Sequence, residues 1–149
     1  MQLDIVVSGD TIVSRKLVRF ADRAMDLSPA WPQVKKQLQT AFQRNFDQQG
    51  PSWPHLKAST IRQRIAQGYS PGPILNKTGA YKRGSTAGLV THGTTSELIA
   101  LVPSIPGVFH QKGTRTPMPA RPLKLRENEK REIVKTVQRV LIEGYSEHN

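Results

Sequence analysis

The segment that most limits what this chain can fold into is residues 110–122, "HQKGTRTPMPARP". It holds three prolines and four basic or imidazole side chains, but no acid. Because proline lacks a backbone donor and fixes φ, the whole segment cannot lie inside one helix or one central strand. Proline is also frequent before it and again near residues 51–73. The pattern predicts two long, basic, proline-rich loops, at about residues 50–75 and 103–122.

The N-terminal third shows one strand pattern and two helix patterns. Alternating apolar residues predict a short first strand at Leu3, Ile5 and Val7. An apolar face at helical spacing predicts a helix that stops near residue 27, and this face comprises Val13, Leu17, Phe20, Ala21 and Ala24. A second amphipathic helix runs from about residue 29 to Gly50. Since the link between the two helices is short, we expect them to form an antiparallel hairpin.

The rest of the chain adds a β-hairpin and a final helix. Strand candidates at residues 88–92 and 97–102 flank a four-residue loop, and a short helix is possible at 59–67. The last helix starts near Glu127, with one apolar face made of Ile133, Val137, Val140 and Leu141. This order predicts a single α+β domain over residues 1–149. Its antiparallel sheet of three or four strands carries the N-terminal helical hairpin and the C-terminal helix.

Charge is the strongest compositional signal. The chain has 22 Lys and Arg against 11 Asp and Glu, a formal net charge of +11. Between Gln48 and Arg126 there are eleven basic residues and a single acid, Glu97. A region of one sign indicates an acidic partner, either nucleic acid or an acidic protein surface, although solubility alone also favours a high net charge. No apolar run approaches the roughly 20 residues of a membrane span, so we expect no membrane partner.

Signals for catalysis or cofactor binding are weak. Cysteine is absent, and the four histidines are not spaced as ligands on one helix, so we expect no metal and no other cofactor. Lys77-Thr78-Gly79 matches one short string of serine β-lactamases, but the partner strings S-x-x-K and S-D-N are missing. No nucleophile elbow, phosphate-binding loop or dinucleotide fingerprint occurs. The sequence therefore predicts a protein that is not an enzyme.

Nucleic-acid binding is the first alternative function. Basic residues interleave with Trp53, His55, Tyr69 and Tyr81, which offer stacking surfaces beside phosphate contacts. No helix-turn-helix, zinc-finger or RNA-binding signature is present. This alternative is therefore non-specific contact with a nucleic-acid backbone.

Several short strings, in order, resemble the virion morphogenesis family of Mu-like phages, which is related to tail-completion and head-tail joining proteins. The strings are Trp53-x-x-Leu56 followed by Thr60, Ile74-Leu75-x-x-Thr78-Gly79, His110-Gln111-x-Gly113, and Pro119-Ala120-Arg121-Pro122-Leu123 before the last helix. With the β-hairpin between them, the resemblance covers about residues 3–143. This chain departs from the family pattern after Gly79 and before His110, where it has Tyr81 and Gly107-Val108-Phe109.

The resemblance implies a structural role at the neck of a virion, in tail completion or head-tail joining. Such proteins act as rings of identical subunits, commonly hexamers, assembled in the host cytoplasm. The implied partners are other copies of the chain, the tail tube or tail terminator, and the head-tail connector. Contact with packaged DNA is an open alternative. A role in capsid morphogenesis is a further alternative. The candidate interface residues are Trp53, Lys82, Arg83, His110, Gln111, Lys112, Arg115 and Arg121.

Two arginines carry the specific interface hypothesis. Arg115 and Arg121, on the proline-rich segment, are able to form bidentate pairs with carboxylates of a neighbouring subunit. Intrasubunit contacts of Arg121 and Trp53 are an equally open alternative. Gly79 and Gly113 suit backbone positions with positive φ.

Overall fold

A computed structural model of the chain describes residues 10–103, 105–113 and 119–143. Within these ranges the fold is α+β. The helices are α1 (Asp10–Met25), α2 (Trp31–Asp47), α3 (Ala58–Ala66), α4 (Ala80–Ser85), α5 (Ile105–Lys112) and α6 (Glu127–Glu143), with a 3-10 turn at Ser28–Ala30. The strands are β1 (Val90–Gly93) and β2 (Leu98–Leu101). The predicted first strand, at Leu3, Ile5 and Val7, lies outside the described residues.

Helix α2 is the centre of the molecule, because both hydrophobic clusters are built on it. Its N-terminal half contributes to the first cluster, which consists of Ala30, Val34 and Val140 with the partly buried Trp31, Leu38, Leu98, Ile133 and Val137. Its C-terminal half contributes Phe46 to the second cluster, which also contains Trp53, Ile74, Leu75 and Tyr81, with the partly buried Leu56, Val102 and Leu123. The two clusters separate the fold into a helical part and a part made largely of loops and short helices.

Helix α6 begins at Glu127 and buries the face that the sequence predicts. The backbone N–H of Arg126 donates to Glu129 Oε2 at 2.6 Å, a side-chain cap of the kind formed by an acid at the third helical position. Glu129 also forms an ion pair with Arg44 on α2. Two turns further along α6, Gln37 Nε2 donates to Thr136 Oγ1 at 2.9 Å. These polar contacts align α6 with α2 while Val140 enters the first cluster.

The predicted β-hairpin is confirmed, but the larger sheet is not. Strands β1 and β2 pair antiparallel, with Val90 opposite Leu101 and Gly93 opposite Leu98. In the described ranges the sheet has these two strands rather than three or four. The hairpin is supported by a helix instead of further strands, since the Trp31 indole N–H donates to Thr94 O at 2.7 Å. Packing against a helix stabilises a ribbon that two strands alone leave marginal.

The two long loops are not confirmed as loops. Helix α3 lies inside residues 50–75, close to the short helix anticipated there, and α5 occupies residues 105–112 of the second stretch. Pro106 does not prevent α5, because proline is tolerated in the first turn of a helix, where the N–H has no intrahelical partner. Gly113 follows α5 with φ +74°, and Gly79 precedes α4 with the same φ, as the sequence predicts.

The predicted N-terminal helical hairpin is not formed. Helix α1 covers the expected residues, but its main neighbour is α6 and not α2. Arg23 Nη1 donates to Ile142 O at 2.7 Å, so the end of α1 is held at the C-terminus of α6. The backbone N–H of Leu27 then donates to Thr95 O at 2.7 Å in the β-hairpin loop. These two anchors direct α1 away from α2.

Candidate functional site

The strings that carry the family resemblance meet around the second hydrophobic cluster. Phe46 makes edge-to-face contacts with two rings, Trp53 at 5.7 Å and Tyr81 at 5.6 Å between centroids. Ile74 and Leu75 of the second string are buried in the same cluster, and Leu123 of the last string packs against it. Segments up to 70 residues apart in sequence therefore converge on one place.

Trp53 is fixed from two sides. Its indole N–H donates to Pro122 O at 2.9 Å, which ties the Trp53 loop to the last proline-rich string. Gly50, at φ +91°, lies under the ring, where a Cβ atom would come within 1.9 Å of Trp53. The contact needs a residue without a side chain in a left-handed conformation, and glycine meets both conditions. Trp53 is 5% exposed and so belongs to the interior of its own subunit.

Arg121 makes contacts within its own subunit, which is one of the two alternatives that the sequence left open for it. The side chain is 6% exposed. Its Nε and Nη2 atoms donate to Pro54 O at 3.0 and 2.9 Å, and Nη2 also reaches His55 O at 3.4 Å. Its backbone N–H donates to His110 O at 2.6 Å. Arg121 thus clamps three segments together, and the 119–123 stretch is packed against the domain instead of forming a free arm.

His110 and Gln111 face Tyr81 from α5. The His110 ring lies 5.6 Å from the Tyr81 ring, and Gln111 Nε2 donates to the Tyr81 hydroxyl at 3.4 Å. The buried Nδ1 atom of His110 has no hydrogen-bond partner among the described residues. Burial and the nearby Arg121 cation lower the pKa of His110, and burial raises the pKa of Tyr81. Both groups are therefore held in their neutral forms at neutral pH.

The remaining predicted site residues lie on the surface or outside the described ranges. Lys82 Nζ lies 3.1 Å from Asp47 Oδ1 in a partly exposed ion pair. A hydrogen bond from Gln43 lowers the pKa of Asp47, and Lys82 lowers it further. Arg83 is exposed, with Nη1 3.3 Å from Thr78 O, and Lys112 is exposed at the end of α5. Arg115 lies outside the described residues, so its predicted pairing stays a prediction.

A groove of about 300 Å³ opens beside the second cluster. It runs between α2, α4, β2 and α5, and its lining residues are Phe42, Tyr81, Ala100, Leu101, Val102, Gly107, Gln111 and Leu123. The walls are mostly apolar, and Tyr81 is the one residue among them of a type that serves in acid–base catalysis. Among residues 10–103, 105–113 and 119–143, no three His, Cys, Asp or Glu side chains are grouped to hold a metal ion.

Helix α1 leaves its apolar side uncovered. Val13, Leu17 and Phe20 are 55%, 63% and 48% exposed, although they lie on one side of the helix. Ala21 and Ala24, on the same side, are also exposed. We call these five residues the free face of α1. Adjacent large residues, Val18 and Met25, are exposed as well. An apolar stripe of this width normally packs against another element.

Sequence patterns predicted several residues of the second cluster, but they did not show that Tyr81 lies at its centre. The sequence offered Tyr81 as a stacking surface and as a departure from the family pattern, yet Tyr81 is buried and contacts Phe46, His110 and Gln111. Arg64 was not singled out, and it is buried with Nη1 donating to Gly72 O and Pro73 O at 2.6 and 3.0 Å. Nothing in the sequence pattern of residues 58–66 indicated that this arginine is buried.

None of the helices in the described ranges combines the length and apolar character that a membrane span requires. Compared with protein-family models, with curated proteins and with solved structures, the chain shows no significant match.

Proposed function

We propose that this protein is a non-enzymatic structural component of a phage virion. It completes the tail or joins it to the head as a ring of identical subunits, six in number as in the family that the sequence resembles. Its partners are other copies of the chain and the neighbouring tail or connector ring. Its place is the neck of the virion, reached by assembly in the host cytoplasm.

The free face of α1 is the observation that carries this proposal. A subunit that exposes Val13, Leu17 and Phe20 on one side of a helix has an apolar surface that residues 10–103, 105–113 and 119–143 do not cover. Association through such a surface removes it from water and is favourable by about 25 cal/mol per Å² of apolar area. When the surface that receives it lies elsewhere on an identical subunit, the contact is head-to-tail, and such contacts form a ring when the rotation between neighbouring subunits closes.

The clamped cluster supports the same role in a second way. Arg121, Trp53 and the Tyr81 ring fix segments from four parts of the chain, so the described body is cross-tied without disulfides. A ring at a joint transmits force between its neighbours, and rigid subunits lose less conformational entropy on assembly. The family strings are thus explained as elements of a rigid subunit, and the subunit contacts are assigned to other residues.

The direct test is electron microscopy of negatively stained particles after the gene is silenced in the phage genome that carries it. The proposal expects separate DNA-filled heads and tails of finished length, and joined virions after the gene is restored from a plasmid. Empty or missing heads beside normal tails would assign the protein to capsid morphogenesis instead. Normal joined virions would exclude a role at the neck.

A further inference from the structure

We propose that the surface formed by α3, α4 and the segment between them binds the phosphate backbone of nucleic acid. The residues that define this basic surface are Lys57, Arg62, Tyr69, Lys77 and Arg83. The inference does not depend on the ring, since every one of these residues lies within a single subunit.

The absence of acids is the first observation. Residues 48–96, all of which the structure describes, contain six Lys and Arg but no Asp or Glu. Arg64 is buried, and Lys82 pairs with Asp47 at the end of α2. The other four cations are exposed and form no ion pair with any described residue. Cations that lack acidic partners and lie on one surface attract a polyanion.

Local contacts hold Lys77 beside an exposed aromatic ring and tie Arg83 to the residue that follows Lys77. Lys77 Nζ lies 4.6 Å from the centre of the Tyr69 ring and donates to Gln67 Oε1 at 2.6 Å. Arg83 Nη1 donates to the carbonyl of Thr78, the residue after Lys77, at 3.3 Å. An aromatic ring among cations is the arrangement that single-stranded nucleic-acid sites use for stacking next to phosphate contacts.

The backbone beneath this cluster is fixed by specific interactions. Gly68, at φ +74°, ends α3, with its N–H donating to Ile65 O and the Tyr69 N–H donating to Arg64 O, both at 2.9 Å. This pair of backbone hydrogen bonds is typical of a helix C-terminus, and it fixes the direction in which the chain leaves α3 at Tyr69. Arg64 then binds the carbonyls of Gly72 and Pro73, which ties the segment leading to Lys77 back to α3. The cations are therefore presented on an ordered scaffold.

The spacing of the cations fits a nucleic-acid strand. Lys57 precedes α3, Arg62 lies on it opposite the buried Arg64, and Lys77 sits at its C-terminal end. Nine residues of helix span roughly 14 Å. Since one strand of duplex DNA carries a charge every ~3.4 Å along the axis, this length matches about four phosphates.

An acidic protein is the competing partner, and the composition of the surface disfavours it. Protein interfaces are depleted of charge at their core and are built around buried apolar or aromatic anchors. Here the cations stand among Gln63, Gln67 and Thr78, with Ile65 as the one large exposed aliphatic side chain on α3. Nucleic-acid interfaces are more polar and much more positive.

The test compares two triple variants of the full chain with the unmodified protein. One removes the basic surface, Lys57→Gln/Arg62→Gln/Lys77→Gln, and the matched control removes three exposed cations of α6, Lys130→Gln/Arg131→Gln/Lys135→Gln. Both change the net charge equally. Binding of a labelled 20-base-pair duplex and of the corresponding single strand is measured by fluorescence anisotropy between 50 and 200 mM NaCl, with far-UV circular dichroism as a check of folding.

We expect the unmodified protein and the control to lose about a hundredfold in affinity across this salt range, as about four phosphate contacts predict. The basic-surface variant should lose only several-fold across the range and bind more weakly at 50 mM. Equal effects of the two triple variants would overturn the proposal, because binding would then reflect net charge alone. Binding of a polyglutamate peptide at this surface without duplex or single-strand binding would also overturn it, in favour of an acidic protein. Should the triple variant misfold, Lys77→Gln alone must reduce the slope of log affinity against log salt by about one.

Discussion

Helices α1 and α6 have similar lengths and similarly amphipathic sequences, yet they occupy opposite environments. Helix α6 places Val140, 8% exposed, in the first cluster, and its neighbours Ile133 and Val137 pack against the same residues. Helix α1 leaves Leu17 63% exposed and is attached mainly at its end, through Arg23. Amphipathicity therefore indicates which face of a helix is apolar, but it does not indicate whether that face is buried by the same chain.

The largest effect is expected where α6 is buried. Val140→Asp places an unpaired charge in the first cluster, and we expect a loss of at least about 4 kcal/mol in the free energy of unfolding, enough to unfold much of the protein. The matched control is Val134→Asp on the same helix, where the side chain is 53% exposed. It should change stability by less than about 0.5 kcal/mol. Urea denaturation followed by circular dichroism measures both, and equal losses would refute the assigned orientation of α6.

The next effect concerns the clamp on the second cluster. Arg121→Ala removes the hydrogen bonds that the buried guanidinium donates to Pro54 O and His55 O, and so unties the 119–123 stretch from the Trp53 loop. We expect a loss of about 3 kcal/mol. Arg121→Lys should restore only part of it, since an ammonium group lacks the planar fork of the guanidinium. Arg131→Ala, at an exposed position of α6, serves as the control. An Arg121→Ala protein of unchanged stability would return Arg121 to the list of intersubunit residues.

A smaller effect is expected where the end of α1 contacts the C-terminus of α6. Arg23→Ala removes the hydrogen bonds to the carbonyls of Ile142 and Leu141 at the end of α6. A cation at a helix C-terminus stabilises by about 0.3–1 kcal/mol, and we expect a loss of this size. Hydrogen exchange followed by mass spectrometry should show faster exchange in α1 and unchanged exchange in α2. If α1 keeps its protection, contacts other than Arg23 hold it in place.

A pH effect is expected at His110. Because its pKa is lowered in the folded state, the unfolded chain binds the proton first as the pH falls. Stability is therefore complete above about pH 6.5, the ordinary value for histidine, and decreases as the pH falls through the lowered folded pKa. His110→Gln should reduce this decrease between pH 7 and 5.5, whereas His92→Gln, at an exposed position of β1, should not. Identical pH profiles for the unmodified protein and His110→Gln would contradict the assignment.

The sequence predicted the elements of this fold better than their partners. The α6 face, the hairpin and the positive φ of Gly79 and Gly113 follow from local rules of periodicity and backbone sterics. The sequence did not predict α5, because frequent prolines usually indicate a loop. Pro106 falls in the first turn of α5, where proline is tolerated. The interior position of Arg121 was open because an arginine finds backbone carbonyls only once the tertiary fold brings them close. No local pattern records that the free face of α1 stays exposed among the described residues, although the helix contacts α6.

The function proposed for this protein requires that the free face of α1 joins subunits. Sedimentation velocity of the unmodified protein, of Leu17→Asp and of Val134→Asp tests it most directly, at equal concentrations and near-physiological salt. Leu17 is already exposed in the subunit, so Leu17→Asp should keep the far-UV circular dichroism spectrum of the folded unmodified protein. We predict that the unmodified protein and Val134→Asp sediment as one closed oligomer and Leu17→Asp as a monomer. An unmodified protein that stays monomeric at high concentration, or a Leu17→Asp protein that forms the same oligomer, would contradict the claim.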